Sequence, residues 1–426
     1  MSFDYFILTI FILAYFCFVV LPSKRVVVAF LSSLVLSIIL YQVYNKNALV
    51  LINWDIINIF IGTLLVSNLI VESGVAEYVA EKVIVKVKNV TFIILLLCAI
   101  TGFLSMFLEN VATLLIVAPI AFQISKKLNI TPTKFLFALA ISSNLQGSAT
   151  LIGDPPSMLL AAATNMNFLD FFFYKGKPSI FFAIELGALA SFLVLYFIFK
   201  KEKQNIEFVF TAKVKSYLPV YLLCFKILTL MILSIFISHN SNFLRVAGFV
   251  CVFSGVVALL IKKFVLKTSM LDGIKALDWE TAIFLCSIFI LVSSIEISGW
   301  IEKLGEFLVI IMGKNKFLIY SIFVLFSIIV SGFVDNVPFF ATMIPVAKAV
   351  SVNSGISLEL LLFGLLIGTT LGGNITPVGA SANIVAWGLL KKQNYNTNFV
   401  DFLKIGLPFT FAAVVPTYFF IWFIWR

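Results

Sequence analysis

The chain has 426 residues, 62% of them hydrophobic and 12% charged, with a mean hydropathy of +1.11. A soluble protein of this length carries about twice that charged fraction, so the composition excludes a soluble enzyme and leaves no room for a separate soluble domain. The net charge of +10 would suit nucleic acid only if it were clustered; it is spread over short loops between apolar runs, as membrane topology requires.

Apolar runs of ~20 residues, each long enough to cross a bilayer, recur from end to end. The first, Phe3 to Leu21, has one acid, Asp4, at its start and no basic residue ahead of it, which argues against a cleaved signal peptide. Spans are predicted at 3–21, 25–44, 55–72, a broken one at 134–165, and 178–199. After the charged linker 200–216 come 217–238, 243–261, 279–297, a broken one at 358–390, and 403–424. Segments 91–125 and 316–350 are too long for one crossing and carry an acid–Asn pair at their centres. They are expected to be re-entrant hairpins, because irregular backbone at that depth survives only inside protein or beside water. Ahead of each hairpin, Val75 to Lys88 and Trp300 to Met312 carry charges at three- and four-residue intervals, the pattern of a helix lying in the interface.

A shift of 226 residues overlays the two hairpins and the two breaks. It places "FLENVATLLIVAPIAF" on "FVDNVPFFATMIPVAK" and "NLQGSATLIGDPPS" on "TLGGNITPVGASAN". The expected fold is all-α and integral to the membrane, with about 10 transmembrane helices, two re-entrant hairpins and two discontinuous helices in two repeats. The repeats are 1–199 and 217–426, joined by the linker. Each has an odd number of crossings, so the second enters from the opposite side and the topology is inverted. Most Lys and Arg then lie inside if both termini are outside, which sets the expected orientation.

The polar breaks are the candidate site. A carboxylate at mid-membrane costs ~2.5–3.5 kcal/mol, and this chain places two, Glu109 and Asp335, at matched positions, each followed by Asn (Asn110, Asn336). They either cap the second hairpin arm or bind an ion, and the two roles are compatible. Gly147, Ser148 and Thr150 match Gly373, Asn374 and Thr376. Glycine there permits open backbone, and the hydroxyl and amide groups replace lost helix partners. Asp154 with two prolines, and Thr376 with Pro377, forbid an uninterrupted helix. Thr113, Asn144, Gly153, Gly379, Ser381 and Asn383 complete the candidate set. Gly364, Gly368 and Gly372 form a small-residue face suited to helix packing. Lys226, Glu185 and Glu296 are isolated charges within spans, either relay elements or snorkelling and lone pairs. The five cysteines lie in apolar runs without a CxxC pair, and His239 alone rules out a multi-histidine metal site.

The four quoted segments, including "LENVATLLIVAPI" and "LGGNITPVGASANIV", resemble the signature segments of the ion transporter superfamily. That superfamily includes arsenite permeases, NhaD-type Na⁺/H⁺ antiporters, citrate–metal transporters and divalent anion–sodium symporters; the segments look most like its P-protein-like branch. The resemblance implies a scaffold and a transport domain, with Asn110 facing Gly147, Ser148 and Thr150, and Asn336 facing Gly373, Asn374 and Thr376. It also implies a homodimer. The symporter branch has Ser-Asn-Thr at the tips, where this chain has Glu-Asn-Val and Asp-Asn-Val, which favours a titratable carboxylate over symporter-type sodium binding.

The expected function is secondary active transport of a small anion, an arsenite-like oxyanion or a carboxylate, across the cytoplasmic membrane. Coupling is to H⁺ or Na⁺, with Na⁺ placed at Asn110 and Asn336 if it binds, and no other cofactor. Na⁺/H⁺ antiport is the nearest alternative and a passive anion channel the next. HExxH, GxGD and P-loop sequences do not occur, so neither an intramembrane enzyme nor a built-in ATPase is expected, although a separate ATPase partner stays open.

Overall fold

The computed structural model describes residues 2–202, 204, 212–237, 242–313 and 315–426; His239 and part of the linker fall outside them. In the first half, α1 (Ser2–Val20), α2 (Arg25–Tyr44), the short α3 (Ala48–Leu51) and α4 (Trp54–Ser73) lead to α5 (Val75–Ile84). Next come α6 (Val90–Ser105), α7 (Asn110–Leu128), α8 (Thr133–Gly147) and α9 (Pro155–Thr164). A two-residue antiparallel pair, β1 (Phe173–Tyr174) and β2 (Lys177–Pro178), precedes α10 (Ile180–Phe199). The second half begins with α11 (Leu218–Phe236), α12 (Asn242–Phe264), the short α13 (Met270–Lys275), α14 (Trp279–Ile297) and α15 (Trp300–Met312). It ends with α16 (Lys316–Ser331), α17 (Asn336–Ser354), α18 (Leu358–Gly372), α19 (Ser381–Lys392) and α20 (Phe399–Trp425).

Among the described residues, nine helices are long and apolar enough to cross a membrane, α7 among them. Because α7 starts at an interior break, it is an arm of the first hairpin rather than a crossing. Eight continuous spans remain, and the broken pairs α8/α9 and α18/α19 bring the total to ten. The 226-residue shift maps the hairpins end for end: Ser105 and Ser331 close the first arms, and Asn110 and Asn336 open the second.

Local chemistry sets the boundaries. Asn47, Asn53, Asn89, Asn315 and Asn398 accept a backbone N–H at the start of α3, α4, α6, α16 and α20, each contributing about 1 kcal/mol. Asn45, Asn129 and Asn165 end α2, α7 and α9 in the left-handed conformation that asparagine tolerates.

Packing separates a framework from a core. In the framework α4 crosses α12, and α2 packs on α14. Gly62 makes the first crossing possible, since a Cβ there would lie 2.6 Å from Val252 N and closer still to the Cys251 backbone. Arg25 and Asp278, at the starts of α2 and α14, line one cavity, and Asn68, late in α4, donates to the Ala276 carbonyl just ahead of α14 at 3.4 Å. The end of α4 thus meets the start of its counterpart α14, which is the inversion expected from the crossing count. In the core α6 packs on α8, α16 on α18, and α10 on α20. The glycine face of α18 presses on Tyr320, Val324, Ser327 and Ile328. Helix α15 is amphipathic as expected, with Leu304, Phe307, Ile310 and Ile311 exposed on it and Gly305 set against Ala349 of α17. Lys226 does not snorkel: it is fully buried, with Nζ donating to Thr63 Oγ1 at 3.4 Å. Glu296 is exposed.

Candidate functional site

The hairpin tips are built by N-caps. Glu109 Oε2 accepts the Ala112 N–H at 2.9 Å, and Asp335 Oδ1 accepts that of Val337 at 3.1 Å. Each acid therefore stands at a half-helix N-terminus, where its charge is favoured. Behind it, Ser105 Oγ donates to Asn110 Oδ1 at 2.5 Å. The Asn336 amide, turned with its nitrogen towards acceptors, donates to the Gly379 and Thr369 carbonyls at 3.1 Å and to Ser331 Oγ at 2.7 Å. Thr113 does not reach the cavity, because its buried hydroxyl donates back to the Glu109 carbonyl at 3.1 Å.

Each break is locked to the tip of its own repeat. Thr150 Oγ1 donates to the Met106 carbonyl, and Thr376 Oγ1 to the Gly332 carbonyl. Gly147 and Gly373 lie directly beneath the Asn110 and Asn336 amides, and a Cβ at either would come within 2.9 Å of both polar atoms of the amide. Gly153 and Gly379 let the returning loop approach Ser105 O and Ser331 O, each 2.9 Å from a Cβ position. All four glycines permit these close approaches.

The two breaks also grip each other. Asn144 Nδ2 donates to Asn374 Oδ1 at 3.0 Å and Asn383 Oδ1 at 2.8 Å. Asn383 Nδ2 in turn donates to the carbonyls of Gly373 and Thr376, both at 3.0 Å. All of these groups are buried, so the open backbone carbonyls of the second break find partners inside the protein.

The half-helices after the breaks differ. Asp154 caps α9, accepting from Ser157 N at 3.0 Å, Ser157 Oγ at 2.6 Å and Ser148 Oγ at 3.2 Å. Its counterpart at the head of α19 is Ala380, which has no side-chain cap. The first N–H groups of α19 are left open, and Ala380, Ser381 and Ala382 line a cavity of about 50 Å³.

That cavity lies between the tips, the breaks and the starts of α2 and α14. Glu109, Asn110, Asn144, Asp154, Asp335, Asn336 and Ser381 line it; Ser148, Asn374 and Asn383 are buried behind it. It adjoins a vestibule of about 340 Å³ that shares Arg25, Glu109, Asp278, Phe284 and Ser381. Arg25 Nη1 meets Asp335 Oδ2 at 2.5 Å, Nη2 donates to Ser381 Oγ at 3.3 Å, and the guanidinium lies 5.5 Å from the Phe284 ring centroid. Asp278 caps α14, accepting from Thr281 N at 3.0 Å and Thr281 Oγ1 at 2.5 Å. A larger cavity of about 560 Å³ between α2 and α14 is lined by residues such as Leu34, Trp54 and Trp279 and by no charged side chain, so it lacks the chemistry to hold an ion.

Sequence reasoning missed Arg25 and Asp278. Both stand at the edges of apolar runs, where a charge reads as a topology signal. Among the described residues Arg25 is the one cation lining the cavity, beside Glu109, Asp154, Asp278 and Asp335.

Comparison with known proteins agrees with this architecture. The sequence model of the citrate transporter family matches residues 15–368 and, again, 245–426. An uncharacterized transporter of Mycobacterium tuberculosis is 27% identical over 376 residues, covering 87% of this chain and 86% of the relative. The P protein of Mus musculus is 25% identical over 433 residues, covering 84% of this chain and 52% of its own length. The YdaH transporter of Alcanivorax borkumensis, solved by crystallography and described as having an unusual topology, superposes with a TM-score of 0.57. Its identity is 12%, with 86% of this chain and 84% of that chain covered.

Proposed function

Since the chain belongs to the citrate transporter family and is a multi-pass membrane transporter, we propose that it carries a small anion by secondary active transport, with H⁺ or Na⁺ as the coupling ion. The observation that carries this reading is the meeting of Arg25 with the uncapped N-terminus of α19 at Ser381. A guanidinium beside open backbone N–H groups can form a binding place for a carboxylate or oxyanion. Asp335 occupies the guanidinium now, and a substrate anion would compete with it.

Charge balance supports coupling. Four carboxylates face one guanidinium in the cavity, so an added anion is repelled unless cations arrive with it. Glu109 and Asp335 are the proposed acceptors of those cations, and Asn110 and Asn336 hold the tips in place. The vestibule adjoins the start of α2, which faces the cytoplasm if both termini are outside. Substrate would reach the site from that side and leave by the other after the core moves against the framework.

The same excess of carboxylates also favours a second reading, Na⁺/H⁺ antiport without an anion. Uptake into proteoliposomes separates the two. Labelled citrate and arsenite are offered under imposed pH and Na⁺ gradients, beside a pH-dye assay with Na⁺ alone. Uphill anion accumulation that requires a gradient supports the anion reading. Proton release on adding Na⁺, with no uptake of either anion, would replace it with antiport.

A further inference from the structure

The two repeats differ beside their breaks in one place that the site above does not use. Under the 226-residue shift Gln146, in the last turn of α8, falls on Gly372, and Gly102 of α6 falls on Ile328. In the second repeat Gly372 is pressed against Ile328, with a Cβ position 2.6 Å from Ile328 O and 2.7 Å from its Cα. In the first repeat the bulk is exchanged: Gly102 leaves a space that Gln146 fills, its Cγ 2.9 Å from where a Cβ at 102 would stand.

Gln146 meets a carboxyl there. Glu185 of α10 lies beside Gln146. A second alignment, "FFAIELGALASF" on "FLKIGLPFTFAA", places Glu185 on Gly406, whose Cβ would run into the backbone of the second break, 3.1 Å from Ile375 O. An acid therefore stands at the first break where the second has packed backbone. Glu185 Oε1, Gln146 Oε1 and, one turn earlier on α8, Ser142 Oγ are all buried without a hydrogen-bond partner. Oxygens left so cost about 1–3 kcal/mol each, and an ionised carboxylate in an apolar interior costs more. A proton on the carboxyl removes the charge and turns one acceptor into a donor.

We propose that Glu185, paired with Gln146, is a proton-binding site of the transport cycle that reports to the first break. The helices packed against α10 among the described residues are α20, α8 and α6. Their titratable groups are Asp401, Lys404 and Tyr418 on α20, Lys134 in the first turn of α8, and Cys98 on α6. Cys98 lies beside Ser142, and Lys134 is roughly 18 Å along α8 from Gln146 at the usual helical rise. No carboxylate or ammonium in that set is placed to compensate Glu185. The route to the break is short: the Gln146 carbonyl accepts the N–H groups of Ser148 and Ala149, and Gly147 lies under Asn110. Glu185 is also five residues into a helix that starts, after α9 and the β-pair, on the face opposite the vestibule. Protons would enter from the side that the vestibule does not serve. This deepens the coupled-transport reading by naming H⁺, yet its test needs no cargo.

Infrared difference spectra between acid and alkaline buffer, recorded on protein in liposomes, read the carboxyl directly. The wild type should show a titrating protonated-carboxyl C=O band that is lost in Glu185→Gln and displaced in Gln146→Leu. Glu109→Gln should leave that band in place. A Glu185→Gln spectrum identical to wild type would overturn the proposal. So would a carboxylate band that responds to Na⁺ and never to pH. If Glu185→Gln does not fold, an unmoved band in Gln146→Leu has the same force. None of these outcomes bears on whether citrate or arsenite is carried, so the two readings fail separately.

Discussion

Arg25 Nη1 and Asp335 Oδ2 lie 2.5 Å apart, joining the first residue of α2 to the tip of the second hairpin. The bond crosses the boundary between framework and core, and it occupies the only guanidinium among the cavity-lining residues. Removing one member of a buried charge pair costs about 2–5 kcal/mol. Arg25→Gln should therefore weaken the half-saturation for anion uptake roughly 30-fold to several-thousand-fold. Arg25→Lys should recover only part of this, since an ammonium lacks the two-pronged fork. Saturable uptake at wild-type affinity in Arg25→Gln would take the residue out of substrate binding.

Ala380→Asp supplies α19 with the cap that Asp154 gives α9. An acidic N-cap stabilises a helix by about 0.5–2 kcal/mol, so the melting temperature in detergent should rise. Anion uptake should fall roughly tenfold or more, because the new carboxylate takes the N–H groups proposed for the substrate. Stabilisation with undiminished uptake would show that the open turn is not used.

Asn144→Ala leaves two buried amide oxygens, on Asn374 and Asn383, without the donor they now share. Each unpaired oxygen costs about 1–3 kcal/mol. Thermal unfolding should show a loss of that order, and transport should fall with it. A variant that melts with the wild type would mean that the bridge carries no stability.

Gly147→Ala and Gly373→Ala place a methyl group against equivalent Asn amides at equal distances. Both should destabilise by about 1–3 kcal/mol, the usual cost of overpacking, and by similar amounts. Gly388→Ala is the control, since a Cβ there meets nothing within 4 Å, and it should melt within about 0.5 kcal/mol of wild type. A large difference between the first two would show that the repeats are not mechanically alike at the breaks.

The interruptions were legible because they violate a strong rule: polar, glycine-bearing sequence is costly in a bilayer, and its recurrence at a fixed shift is hard to produce by chance. Asn110, Asn144 and Asp154 emerged from that pattern, and the structure places all three at one cavity. Arg25 and Asp278 did not emerge, because a charge at the edge of an apolar run also serves topology, and only tertiary packing brings those edges to the tips. The signal at Ala380 is an absence. Alignment already set it against Asp154, but an alanine shows its meaning only when the helix it fails to cap is seen. The exchange of bulk between Gly102/Gln146 and Ile328/Gly372 was hidden for a related reason: a compensating pair is visible only when both partners are known to touch.

Thr150 and Thr376 fasten each interruption to its own hairpin, and Asn144 fastens the interruptions to each other. Hydrogen bonds thus join the four broken elements into one block. In the proposed cycle cargo travels with that block as a passenger, and sliding takes place along its outer walls, where the Arg25 clasp is the contact that must open first.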